Sequence, residues 1–123
     1  MGMTNRCVLV VDNDDGVRAF IRTVLQNEQF AVIDFAEPAK ALEALPSFQN
    51  EICALISNVD FARRLARSLP HLPILMISGS NESPVEDPGL CFLGKPFGPR
   101  TLVRALRGLI SASRQLIAIP SAS

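Results

Sequence analysis

Five stretches of the chain are almost uninterruptedly apolar: CVLVV (7–11), FAVIDF (30–35), ICALI (52–56), PILMI (73–77) and LCFL (90–93). Short continuous runs of this kind predict strands covered on both faces, as in a parallel sheet. Asp34 inside the second run predicts an edge position for that strand. Between the runs the period changes. Val17, Phe20, Ile21, Val24 and Leu25 recur at helical spacing and predict one buried stripe behind a cap at Asp14 or Asp15. Pro38 opens and Pro46 closes a second, short helix. Phe61, Leu65 and Leu69, with Arg63, Arg64 and Arg67 outward, predict a third, and Pro99 starts a long last one through Leu102, Val103, Leu106, Leu109 and Ile110.

Strands and helices alternating in this way require right-handed crossovers and a parallel sheet between layers of helices, with ligands at the carboxyl ends of the strands. Each run ends in small or polar residues: Asp12-Asn13-Asp14, Ser57-Asn58, Ser78-Gly79-Ser80 and Gly94-Lys95-Pro96. One pocket there can collect acids, amides, a hydroxyl and a lysine.

Composition narrows the function classes. With 123 residues and 48% hydrophobic ones, the chain predicts a single domain over 1–123 with its core in 6–118. Twelve basic residues balance twelve acidic ones, and seven Phe with no Trp or Tyr offer little for stacking on bases, so direct nucleic-acid binding is not expected. The longest apolar runs, about five to six residues, are too short for a membrane span. Three cysteines at 7, 53 and 91, without CxxC spacing and inside apolar runs, predict buried thiols in a reducing compartment. The start MGMTNR lacks a signal-peptide pattern and has Arg6 where myristoylation needs Ser or Thr, so the expected location is cytoplasmic.

At the strand ends the chain resembles a response-regulator receiver domain, the CheY-like module of two-component phosphorelays, over nearly all of residues 6–118. VLVVDNDDGVR resembles the family's first strand with its acidic pair, LISNV the strand ending in the phosphoacceptor aspartate, LMISG the strand ending in Ser or Thr, and FLGKPF the strand with its Lys-Pro. The resemblance implies a flavodoxin-like α/β fold of three layers, with a five-stranded parallel sheet of order 2-1-3-4-5. It also implies a chemistry in which Mg²⁺ assists phosphoryl transfer from a histidine kinase to the aspartate.

Carried over by position, Asp12 matches the first acid of the metal-binding pair, while Asn13 stands where the second is expected and Asn58 at the phosphoacceptor position. Ser78 matches the hydroxyl residue, Phe92 the switch aromatic and Lys95 the lysine that contacts the phosphoryl group. An amide is neither an aspartyl nucleophile nor an anionic ligand, so phosphorylation at Asn58 is not expected and Mg²⁺ binding should be weak or absent. Phe92, with no hydroxyl to favour water, should sit inward without a signal. The segment NVDFARRLARSLPHLP enters its helix almost directly, and Pro84 and Pro88 interrupt 79–89, so the family's third and fourth helices should both be shortened.

A hydrolase built on His71 and Ser78 is excluded by reach, because the strand between them sets the two roughly 20 Å apart. No glycine cradle for a nucleotide is present. The reading that results is an atypical, phosphorylation-independent receiver without catalytic residues, which binds a histidine kinase, a downstream signalling protein or a second copy of itself, and no membrane. Arg100, Arg104, Arg107 and Arg114 form a basic stripe on the last helix, and the first three, beside strand 90–93, mark the expected partner surface for acidic groups. Two alternatives stay open: an active receiver using Asp60, and a small-ligand binder on the same fold.

Overall fold

The structure, a computed structural model, describes residues 7–78 and 90–118. Its elements run β1 (Cys7–Val11), α1 (Asp15–Asn27), β2 (Ala31–Phe35), α2 (Pro38–Phe48), β3 (Ile52–Ser57), α3 (Val59–Ser68), β4 (Ile74–Ser78), β5 (Leu90–Gly94) and α4 (Pro99–Ala118). All strand pairs are parallel and the sheet order is β2-β1-β3-β4-β5. This is the expected flavodoxin-like arrangement, with β2 at an edge.

Alternation along each strand divides the interior in two. Val8, Val10, Ala54, Ile56, Leu75 and Ile77 face α1 and α4, where they meet Ile21, Leu25, Leu102 and Leu106. Leu9, Val11, Leu55, Ile74 and Met76 face the other way, onto Ala41, Leu45, Phe61 and Leu65 of α2 and α3. A period of two in strands buried on both sides makes every position apolar, which is why the runs read as continuous.

Three expectations are corrected. Pro46 lies inside α2 rather than closing it, since the helix continues to Phe48, whose side chain is buried against the second core. Burial of Phe48 offsets part of the cost of the N–H that Pro46 lacks. Phe20 is 37% exposed and leaves the stripe to Ile21, Val24 and Leu25, because the elements packed against α1, namely β2, α4 and β1, cover only part of the face that the 3.6 period defines. Cys7 and Cys53, the first residue of β1 and the second of β3, are half-buried rather than buried. Burial, and then the charge of Glu51, push the Cys7 thiol up from its ordinary value.

Helix α3 spans ten residues and follows β3 through the single residue Asn58. The family's fourth helix would fall on 79–89, so its shortening lies outside the described residues.

Candidate functional site

The order β2-β1-β3-β4-β5 reverses direction between β1 and β3, and a crevice of this fold class opens where the order reverses. Asp12 and Asn58 are the first residues beyond β1 and β3 and flank that point. Ser78 ends β4 and pairs in register with Gly94, and Lys95 follows directly. The topology thus brings to one end of the sheet the residues that sequence spacing placed there. The side chains of Ser78 and Phe92 lie outside what the structure describes, and the expected inward Phe92 with them.

Asp12 is 3% exposed, and both its carboxylate oxygens are engaged. Oδ1 accepts from the Asp14 backbone N–H at 2.8 Å, and Oδ2 accepts from Lys95 Nζ at 3.1 Å. A charge this far from water is tolerated because a cation and an N–H together replace its hydration. The neighbouring acids are committed elsewhere: Asp14 Oδ1 accepts from Val17 N–H at 3.0 Å as the cap of α1, and Asp15 Oδ1 accepts from Arg18 at 2.8 Å. Of the two residues offered as helix caps, Asp14 takes the role.

Asn58 is exposed, and its Oδ1 accepts from Phe61 N–H at 3.0 Å, so the side chain caps α3. Its own carbonyl accepts from the buried Ser57 hydroxyl at 2.8 Å. Asn13 is exposed, as is Asp60 in the first turn of α3. These donors do not fit the divalent cation that the fold's usual chemistry implies. Among the described residues the buried carboxylate, Asp12, already holds Lys95, Asn13 and Asn58 offer amides, and no three His, Cys, Asp or Glu side chains come together.

Sequence reading missed Arg18. Its guanidinium donates through NH1 to the Asp12 carbonyl at 2.8 Å, through Nε to Asp34 at 3.1 Å and through NH2 to Asp15 at 2.8 Å, and Arg22 joins it on Asp34. Burial alone would raise the Asp34 carboxyl, but hydrogen bonding and charge from Arg22, then Arg18, hold it below its ordinary value. Arg18 is itself held above its usual value first by the Asp15 hydrogen bond, against partial burial and with help from Asp34. The available signal was Asp34 itself, a carboxylate in a strand with arginines on the neighbouring helix. His71 is exposed, at the opposite end of the sheet from Asn58.

No protein-family model matches the chain. Over 87% of its length it is 31% identical to the alkaline phosphatase synthesis transcriptional regulatory protein SphR of Synechococcus elongatus, and it spans 49% of that relative's length. Among solved structures it is similar to a response regulator receiver protein from Sinorhizobium medicae, with a TM-score of 0.74 and 24% identity over 87% of this chain and 95% of that one. It is also similar to NtrX from Brucella abortus, with a TM-score of 0.82 and 18% identity over 98% of this chain and 30% of that one. A CheY-like receiver domain protein from Methanospirillum hungatei gives a TM-score of 0.74 at 16% identity, covering 91% of this chain and 98% of that one. The fold is that of a CheY-like receiver domain.

Proposed function

We infer that this receiver-fold chain is an atypical response-regulator receiver domain of two-component signal transduction, acting without phosphorylation by binding a protein partner. The observation that carries the reading is Asn58, an amide directly after β3 that serves as the cap of α3, at the strand end where the resemblance sets the phosphoacceptor aspartate. An amide nitrogen has its lone pair delocalised and its oxygen bears only a partial charge, so the group does not form an acyl phosphate. The contact between Lys95 and Asp12 supports the same reading, because in this pocket the lysine already has an anion. Binding of Mg²⁺ at the pocket would have to displace that lysine from the buried carboxylate of Asp12, and it is therefore weak or absent.

The partner is a histidine kinase or a downstream signalling protein. Arg100, Arg104 and Arg107 on α4 are all exposed and form the surface for it. Leu106, also on α4, is fully buried and belongs to the core, so it contributes nothing to that surface directly.

The experiment is incubation of the chain with acetyl phosphate and Mg²⁺, read by intact mass. An unchanged mass is expected. A phosphoryl adduct mapped to Asp60 would replace this reading with that of an active receiver using a displaced carboxylate, and an adduct on Asp12 would overturn the assignment of Asp12 and Lys95 as a closed pair.

A further inference from the structure

We propose that the cavity at the end of the sheet opposite Asp12, Asn58 and Lys95 is a binding site for an uncharged, planar amino-heterocycle of the adenine type. This site goes beyond the protein-binding reading and does not depend on it. The cavity has a volume of about 340 Å³, within the range of small-molecule sites, and lies where α2 and α3 end and β3 and β4 begin. Its apolar floor is Ile52, Leu69 and Leu72, which continue the core under α2 and α3.

The wall between α3 and β4 is set before any ligand arrives. Leu72 N–H donates to the Leu69 carbonyl at 3.0 Å, and the Pro73 carbonyl accepts from Leu55 N–H at 2.9 Å. Pro70 and Pro73, on either side of His71 and Leu72, fix φ at two further points. A preformed wall lowers the ordering cost of binding. The rings of Pro70, His71 and Pro73 all line the cavity and offer flat surfaces for a planar ligand.

The polar groups set the charge and the edge of the occupant. Gln49, Asn50, Ser68 and His71 supply them, and among the described residues that line the cavity none is Asp, Glu, Lys or Arg. A charged ligand would give up hydration with no ion to replace it, so the occupant is neutral. The Gln49 amide is exposed and has no hydrogen-bond partner among the described residues, and it sets an acceptor beside a donor. That is the complement of a ring nitrogen next to an exocyclic amine, the pairing by which amides read adenine. The carbonyl ends of α2 and α3 favour an amine here over a further acceptor. Occupancy leaves the amide-bearing pocket open, because the ten residues of α3 set about 15 Å between its cap at Asn58 and its last turn at the cavity.

The test titrates the full chain with adenosine, read by amide chemical shifts and by calorimetry. Controls are inosine, in which a carbonyl replaces the amine, adenosine monophosphate, which adds charge, and indole, which is flat but lacks the paired donor and acceptor. Adenosine is expected to saturate, with shifts at residues 49–52 and 68–72. Inosine should bind about tenfold more weakly, and the monophosphate no more tightly than adenosine. Gln49→Ala should weaken adenosine about tenfold and His71→Ala severalfold, both at unchanged Tm because the two side chains are exposed, while Lys40→Ala on α2 leaves binding unchanged. Equal binding of inosine or indole overturns the proposal, as do tighter binding of the monophosphate, shifts centred on Asn13, Asn58 and Lys95, or no shift with adenosine at all.

Discussion

Asn58 and Lys95 are the residues whose chemistry separates this pocket from a phosphorylatable one, and each has a structural task that can be measured. Replacing Asn58 with Ala removes the acceptor for Phe61 N–H and should cost about 1 kcal/mol, seen as a lower denaturant midpoint with an unchanged slope. Asn58→Asp keeps the acceptor and adds a negative charge at a helix N-terminus, so it should be tolerated far better than Asn58→Ala. Combined with Asn13→Asp, it should also give a calorimetric Mg²⁺ signal that the parent lacks, because two anionic oxygens return to the pocket. No gain in Mg²⁺ binding would mean that Asn58 does not occupy the phosphoacceptor position. Lys95→Met leaves the 3%-exposed Asp12 without its cation and should destabilise by about 1–3 kcal/mol.

Among the elements, α1 is held at both ends by devices of different kinds. Its start is capped by Asp14. Its end has Gln29 at φ 73°, with Phe30 N–H bonded to the Leu25 carbonyl and Gln29 N–H to the Gln26 carbonyl, the paired bonds of a Schellman turn. Left-handed backbone crowds a Cβ, so Gln29→Gly should raise stability by about 0.5–1 kcal/mol in urea unfolding. Between its ends, Arg18 and Arg22 tie α1 to Asp34 of β2. Since the folded Asp34 carboxyl titrates below its unfolded value, this tie contributes fully above pH about 4 and is lost as pH falls through the lower folded value. Asp34→Asn should therefore lower Tm at neutral pH and flatten its decline on the acid side. A parallel decline in both proteins would show that Asp34 carries no linkage.

In the whole molecule the sheet separates two cores of similar character, and the proposed ligand cavity opens onto only one of them. Leu106 and Leu65 are each 0–1% exposed, on opposite faces of the sheet. Truncating either to Ala should cost about 2–5 kcal/mol in thermal or urea unfolding. The comparison with Arg104→Glu is informative because Arg104 is exposed two residues before Leu106 on α4. Loss of partner binding at unchanged Tm assigns the effect to the surface, whereas Leu106 substitutions report the core.

The fold was legible because strands covered on both faces must be apolar throughout, and the runs at 7–11, 52–56 and 73–77 lie within one residue of the observed strands. The strand-end residues followed from them, since parallel strands deliver all their carboxyl ends to one side. Their chemical character, an amide at 58 and at 13 beside a carboxylate at 12, was also plain in the letters of the sequence. What sequence could not assign were contacts across long separations. Lys95 reaches Asp12 over 83 positions, and Arg18 reaches Asp34 over sixteen. Nor could helical period alone say that Phe20 stays exposed, for the period fixes a side chain's direction while the neighbouring elements fix what covers it. The cavity belongs to the same class: α2 and α3 each carry an ordinary amphipathic pattern, and only their packing side by side brings Gln49, Ser68 and His71 around one apolar floor. Local spacing determined the elements and the residues at their ends, and the sheet's topology decided which charges are neutralised and which are left for a partner, because charge pairing depends on distance in space and not along the chain.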